Sequence, residues 1–393
     1  MVDQHRVAEA TRKFVAEYRQ RPKIWVRAPG RIELMGSYSG ANDGLSLMLP
    51  IDRDIWIAAC PRPDGVIRVY SDQLQTGSTF ALNKISHDDQ VPWTNTIRGV
   101  AAAFRHAGYP LKGFDGLITS DLPLDSGLGS SAALEAATGK LFQALTGSRI
   151  RPLELARLCH DAEINFVGAA CDLRDQFTVL MGKAGAALLL DSRKLSSKPV
   201  KIHPRIAIVV CDTRLQREDV TDVQQERTAE CHEGARILAS YYPRVTSLRD
   251  VSLDMLLTYR AELVPVVAQR CRFIVEENAR VPELAQGLTY GDRVAIQDVT
   301  ERSFVGAQEQ FGIVSEEMGW MMSAILGAPG AIGGRQTGFG LGGSLVAFVD
   351  ADQAELFATH VQRQYWAYAH VRAAVYVVGE GDPAGPFKPA KFA

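Results

Sequence analysis

Two hydrophobic rhythms alternate along the chain. Val7, Phe14, Val15 and Tyr18 recur at helical spacing and predict an N-terminal helix. From Lys23 to Gly36 (KIWVRAPGRIELMG) and from Leu45 to Cys60 (LSLMLPIDRDIWIAAC) the apolar positions close up into strand patterns. GVIRVYSDQ and GSTFALN continue the β-rich stretch. Residues 93–109 return to a helical period, with Val100, Ala103 and Phe104 on one face. GFDGLITSDLPL then reads as a strand, SSAALEAATGKLFQAL and residues 152–169 as helices, and GAALLLDSRKL as a strand. The second half opens on the strand IAIVVCD, continues through helices that include residues 224–242 and 254–278, and ends with a glycine-rich turn between two strand-like segments, GGRQTGFGLGGSLVAFVD. Polar, proline-containing Asp191 to Pro204 is the expected crossing between two domains, 1–200 and 201–393. The pattern predicts a mixed α+β protein in two lobes.

Length supports that division, since 393 residues exceed an ordinary single domain. A net charge of −2 and the lack of any Lys/Arg-rich run offer nothing to nucleic acid or to an anionic membrane. The longest apolar runs, AGAALLL and IAIVV, are too short to span a bilayer, and the N-terminus lacks the apolar stretch of a secretory signal. The six cysteines form no CxxC pair and read as reduced core residues, which predicts a soluble, cytoplasmic protein.

Three segments could carry chemistry. In DLPLDSGLGSSAALEAA a strand meets Gly127-Leu128-Gly129-Ser130-Ser131, which opens directly into a helix. Glycines let backbone amides approach an anion, and a helix N-terminus adds unpaired N–H groups and a positive dipole end. A capped helix after a tight turn explains the same residues, and no GK[ST] follows to make a Walker loop. In AEINFVGAACDLRDQF, Glu163 and Asp175 lie twelve residues apart. A phosphotransferase needs one carboxylate for a metal and one facing the acceptor hydroxyl, but surface charges give the same spacing. The third segment contains GxGxxG from Gly338 to Gly343, yet a strand follows where a dinucleotide-binding unit needs a helix. The eight histidines fall outside these segments, so neither a serine-histidine triad nor a histidine metal site is supported.

In this order, RAPGRIELMG, DLPLDSGLGSSAALEAA, AEINFVGAACDLRDQF and RQTGFGLGGSLVAF resemble the GHMP kinase superfamily, most closely its galactokinase branch. The resemblance implies ATP bound between two lobes, with its phosphates over the Gly127–Ser131 turn and Mg²⁺ held by Ser131 and Glu163. It implies that Asp175 orients or deprotonates a sugar hydroxyl and that Arg31 stabilises charge on the transferring phosphoryl. It also implies that Ser71 and Trp93 line the adenine pocket and that Gly338, Gly340, Gly342 and Gly343 close over the phosphates. A sugar sensor without turnover and a kinase of a non-sugar alcohol or polyol are the alternative readings.

The departures fall on the acceptor side. Where galactokinases carry EHTDYN, this chain has Ser37-Tyr38-Ser39-Gly40-Ala41-Asn42, followed by Asp43. The glycine three residues before Asp175 becomes Asp172, the methionine just before it becomes Arg174, and the tyrosine expected upstream of the ECHEGA segment aligns with Gln224. These positions, with Ser37, Tyr38, Ser39, Asn42 and Asp43, are the expected acceptor contacts, and their change predicts a sugar other than galactose, phosphorylated at the anomeric hydroxyl. Arabinose-like, amino and acidic sugars are the classes left open: lost carboxylates and Arg174 favour an acid, while Asp172 opposes one.

Overall fold

The computed structural model describes residues 3–123, 126–169, 171–215 and 221–389. Helix α1 (Gln4–Tyr18) is capped by the Asp3 side chain and leads into the long hairpin of β1 (Ile24–Met35) and β2 (Leu45–Arg62). Strands β3 (Val66–Ser71) and β4 (Thr76–Ala81), helix α2 (Thr94–His106), strand β5 (Gly113–Ser120) and helices α3 (Ser130–Thr146), α4 (Pro152–Ala162) and α5 (Arg174–Met181) follow. Strands β6 (Ala187–Asp191) and β7 (Ser196–Val200) complete this half. The second half comprises β8 (Ile206–Asp212), α6 (Thr221–Ala239), α7 (Leu253–Thr258), α8 (Pro265–Tyr290), α9 (Arg293–Gly306), α10 (Glu316–Leu326), β9 (Ala331–Gln336), β10 (Ser344–Asp350), α11 (Ala354–Ala369), β11 (Ala374–Val378) and β12 (Gly385–Pro386).

The strands form an eight-stranded sheet with main order β12-β1-β2-β5-β3-β4, β6 and β7 extending from β2, and a four-stranded sheet ordered β11-β8-β10-β9. Among the described pairings only β3–β5 is parallel. This is the expected two-lobed α+β arrangement. Helix α3 lies on β1 and β2 through Ala132, Ala133, Ala136 and Ala137, all buried. Small side chains allow this close approach. Further along the helix Gly139 meets Leu155 of α4, where a Cβ would stand 2.6 Å from Leu155 Cδ1.

Three expectations change in detail. Residues 196–200 of the expected crossing are strand β7, paired with β6, because alternate positions there satisfy a sheet edge. The 254–278 helix splits, since Pro265 lacks the N–H an interior position needs and instead begins α8. The 152–169 helix widens into a π-helical turn at Glu163–Val167 and stops at left-handed Gly168. Asp175 sits in the first turn of α5. No helix of the described residues is long and apolar enough to cross a membrane. Five of the six cysteines are buried, Cys171 is half-buried, and none is in a disulfide.

Candidate active site

A register shift in β1 at Gly30, between Pro29 and Arg31, turns Arg31 toward the Gly127–Ser131 loop. The Arg31 backbone N–H donates to Leu128 O at 2.8 Å and its Nη1 to Gly127 O at 2.6 Å. Its Nε donates to Asp175 Oδ1 at 2.5 Å, and Nη2 reaches Asp175 Oδ2, making a two-pronged pair. Burial opposes the Arg31 charge, yet the Asp175 carboxylate outweighs it, and the guanidinium is held above its ordinary pKa. Gly129 is in the left-handed region at φ 79°, and a Cβ there would stand 2.9 Å from Arg31 Cγ. Glycine is required at this position by both the backbone and its neighbour.

Gly127 is also left-handed (φ 74°), and α3 begins with no side-chain cap on its first N–H groups. Those amides are available to an anion. Leu128 is buried, Ser130 half-buried and Ser131 exposed; Leu124 and Asp125, just upstream, lie outside the described residues. Beside this turn, a cavity of about 160 Å³ is lined by Ser71, Leu74, Trp93, Thr96, Ser130 and Ser131 among others. The expected adenine residues Ser71 and Trp93 therefore share one slot with Ser130 and Ser131 of the expected phosphate loop, while Gly127, Leu128, Gly129 and the Gly338–Gly343 turn do not line it. Within it the Ser71 hydroxyl accepts from Leu74 N at 3.2 Å, and Trp93 Nε1 donates to Thr76 Oγ1 at 3.1 Å.

On the inner face of α3 is Glu135, four residues from Ser131 and fully buried. Gln176 Nε2 donates both to Glu135 Oε2 (2.9 Å) and to Glu163 Oε2 (2.5 Å). Burial raises the Glu163 pKa; a hydrogen bond from the Cys171 thiol pulls back and the Asp175 charge adds to the rise. Burial and the nearby Glu163 push Glu135 well above the carboxylate range. Glu135 Oε1 has no hydrogen-bond partner among the described residues. Glu135 was not among the expected site residues; its signal was an acidic residue inside an alanine-rich helical run.

The turn between β9 and β10 lies across the same region. Gly338, Gly340, Gly342 and Gly343 all have positive φ, and a Cβ on Gly340 would overlap the Ile313 carbonyl. The flanking hydroxyls join the lobes: Thr337 Oγ1 donates to Glu33 O at 3.0 Å, and Ser344 Oγ to Ser126 O at 2.8 Å.

A second cavity, about 370 Å³, is lined by Tyr38, Gly40, Ala41, Asp172, Arg174, Gln224, Thr228 and Phe339, with His160, Cys171 and Ser192 at other points of its wall. Of the expected acceptor contacts, Tyr38, Asp172, Arg174 and Gln224 reach it. Ser37, Ser39, Asn42 and Asp43 do not. Ser37 Oγ donates to Glu33 Oε1 (2.6 Å) and accepts from Arg335 Nη2 (2.8 Å), while Ser39 Oγ bonds to Gly36 O and Leu45 O. Asn42 Nδ2 donates to Tyr38 O, and Asp43 faces outward toward Arg193 at 3.4 Å. Their side chains shape the turn from within, because this short polar loop would otherwise leave backbone groups unpaired. Tyr38, at φ 61°, stacks edge-on against Phe311 and Phe339 and donates its hydroxyl to Phe339 O at 3.0 Å.

Beneath the loop is a buried charge network absent from the sequence reading. Arg174 Nη1 donates to Glu33 Oε2 (3.2 Å) and Gly36 O (3.0 Å), and its Nε to Asp172 Oδ2 (2.5 Å). Arg335 Nη2 donates to Glu277 Oε1 at 3.0 Å, and Glu277 Oε1 also accepts from Gly36 N at 3.2 Å. Glu33 and Arg335 were legible only as charges inside strands.

The architecture and the paired loops define a GHMP kinase. The family model for the GHMP kinases N terminal domain matches residues 95–183, and that for the galactokinase galactose-binding signature matches residues 12–61. A galactokinase of Roseiflexus sp. is 35% identical over 377 residues, covering 96% of each chain. One of Chloroflexus aurantiacus is 38% identical over 336 residues, 86% of each. A crystal structure of Lactococcus lactis galactokinase complexed with galactose superposes with TM-score 0.89 at 25% identity, covering 96% of this chain and 99% of that one. A mevalonate kinase structure, at TM-score 0.64 and 13% identity over 92% of this chain and 100% of its own, shares the fold. The chain belongs to the galactokinase-like branch of the GHMP kinases.

Proposed function

We propose that this chain transfers the γ-phosphoryl group of ATP to the anomeric hydroxyl of a neutral monosaccharide other than galactose. The observation that carries the reaction is the Arg31–Asp175 pair, anchored to the glycine loop and following directly in the chain on Arg174, which lines the acceptor cavity. Asp175 would receive the proton of the acceptor hydroxyl as that oxygen bonds to phosphorus and the bond to the β–γ bridging oxygen breaks. Arg31 would hold the carboxylate in line and offset charge on the transferring group. The open amides at the start of α3 suit the phosphates of ATP, which supplies the phosphoryl group.

The donor set also suits Mg²⁺. Glu163 is raised in pKa by burial beside further carboxylates, Ser131 offers an exposed hydroxyl, and Glu135 keeps an oxygen without a partner among the described residues. No cluster of three or more protein ligands occurs among the described residues. A Mg²⁺ in a phosphotransfer site draws most of its oxygens from phosphate and water. Ser131 and Glu163 would hold it, and it would neutralise phosphate charge.

Two features support the choice of acceptor. The loop at 37–42 turns three of its polar side chains inward and has no side chain at Gly40, which disfavours a site shaped for galactose. Arg174 is committed to two carboxylates and a carbonyl, so this arginine of the cavity wall is not a free cation for an acidic sugar. A coupled ADP-release screen over pentoses, hexoses, amino sugars, uronic acids and inositols tests the reading, with Asp175→Asn as control. Turnover is expected with a neutral sugar, and the variant should lose about 10²–10⁴-fold in kcat. Best turnover with galactose or with a uronic acid would overturn the acceptor assignment. Sugar binding without any ADP release would instead support a sensor.

A further inference from the structure

Three residues at the cavity edge form one unit: Gly40, Asp172 and Arg174. A Cβ at position 40 would overlap Asp172 Oδ2 and stand 2.7 Å from Arg174 Nε. The Asp172 carboxylate thus occupies the volume that a side chain on the loop would fill. Both of its oxygens are tethered to one residue, Oδ1 accepting from Arg174 N at 2.7 Å and Oδ2 from Arg174 Nε at 2.5 Å. Arg174 is itself fixed by Glu33 and by Gly36 O and is nearly inaccessible, with 8% of its side chain exposed against 26% for Asp172. The arginine is the buried clamp and the carboxylate is the group presented to the cavity.

We propose that Asp172 is the specificity-determining carboxylate of the acceptor site, positioned by Arg174 and admitted by the missing side chain at Gly40. The ligand it would take is a neutral polyhydroxyl compound bearing two adjacent hydroxyls. A carboxylate oxygen offers about two lone-pair sites, so one on each remains after the Arg174 bonds are made. Two neighbouring hydroxyls can donate to that pair, while a second carboxylate brought here would meet the Asp172 charge with Arg174 already engaged by Asp172 and Glu33. Gln224 and Thr228 on α6 line the cavity as well and can serve other hydroxyls. Arg174 acts as a positioning residue and does not touch the acceptor.

The proposal rests on the sugar-kinase reading, and its test separates the two. Steady-state kinetics with the best neutral sugar of the screen would compare the wild type with Asp172→Asn and Gly40→Ala, alongside calorimetric titration of the same sugar. Asp172→Asn should raise the acceptor KM and weaken sugar binding about 10- to 100-fold, with kcat changed only a few-fold and the KM for ATP unchanged. Gly40→Ala, which leaves the carboxylate intact but displaces it, should do the same. If Asp172→Asn does not fold, Gly40→Ala decides. An unchanged acceptor KM and affinity in the folded variants, or tighter binding of a uronic acid than of its neutral parent by the wild type, would overturn the assignment. If the wild type binds the sugar without turnover, the kinase reading fails while the titrations still decide the role of Asp172.

Discussion

Replacing Arg335 by methionine tests whether the buried network holds the acceptor loop in place. Arg335 is fully buried and donates to Ser303 Oγ (3.0 Å), Ser37 Oγ (2.8 Å) and Glu277 Oε1 (3.0 Å), with Glu33 Oε1 3.5 Å away. Removing one member of a buried pair costs about 3–5 kcal/mol when the other charge is left bare. Here neither carboxylate is left bare. Glu277 keeps Arg280 at 3.3 Å and the Ser303 hydroxyl, and Glu33 keeps Arg174 and Ser37. The loss should therefore lie at the low end, about 3 kcal/mol, and methionine should refill most of the volume. Urea unfolding followed by tryptophan fluorescence measures it. A cycle with Glu277→Gln should show coupling of about 1 kcal/mol or more, since the two groups are in contact. Ser37 also loses its donor, so the acceptor KM should rise while the KM for ATP holds. A loss below about 1 kcal/mol, or strict additivity in the cycle, would refute the idea that this network carries the loop.

Two further outcomes follow from the geometry. Gly129→Ala places a Cβ against Arg31 Cγ at a left-handed position, so it should cost about 1–2 kcal/mol of stability and, by pushing Arg31 off Asp175, reduce kcat; full activity in the steady-state assay would contradict this. Arg193 clamps Asp250 (2.6 Å) and, with hydrogen bonds from Thr246, draws its pKa downward. A depressed carboxylate contributes stability above its unfolded-state value near 3.8 and loses it as pH falls. The gap in urea midpoint between the wild type and Arg193→Ala should thus be widest near neutrality and close as the pH drops below about 4; a gap independent of pH would exclude the ion pair as its source.

Local chemistry made much of this protein legible in advance. A glycine-serine turn that opens directly into a helix, and the helical and strand periods around it, are requirements of short segments, and they read correctly from order and spacing alone. So did the strand-turn-strand form of residues 331–350. Misreadings arose where a neighbour decided. The 196–200 strand needed β6 as its partner, and Ser37, Ser39, Asn42 and Asp43 were expected to contact the acceptor because composition cannot tell which way a side chain points.

The sequence by itself determined the local elements of the proposed phosphoryl-transfer site, because those depend on backbone amides, a helix terminus and a few charges at fixed spacing. Only the tertiary structure decided the acceptor side. There Glu33, Asp172, Arg174, Glu277 and Arg335 meet from strands and helices up to 302 residues apart, Glu33 lying in β1 and Arg335 in β9. Whether Arg174 is a free cation or a spent one depends on who stands next to it. A charge has no fixed meaning until its partners and its exposure are known, and both are properties of the packed chain.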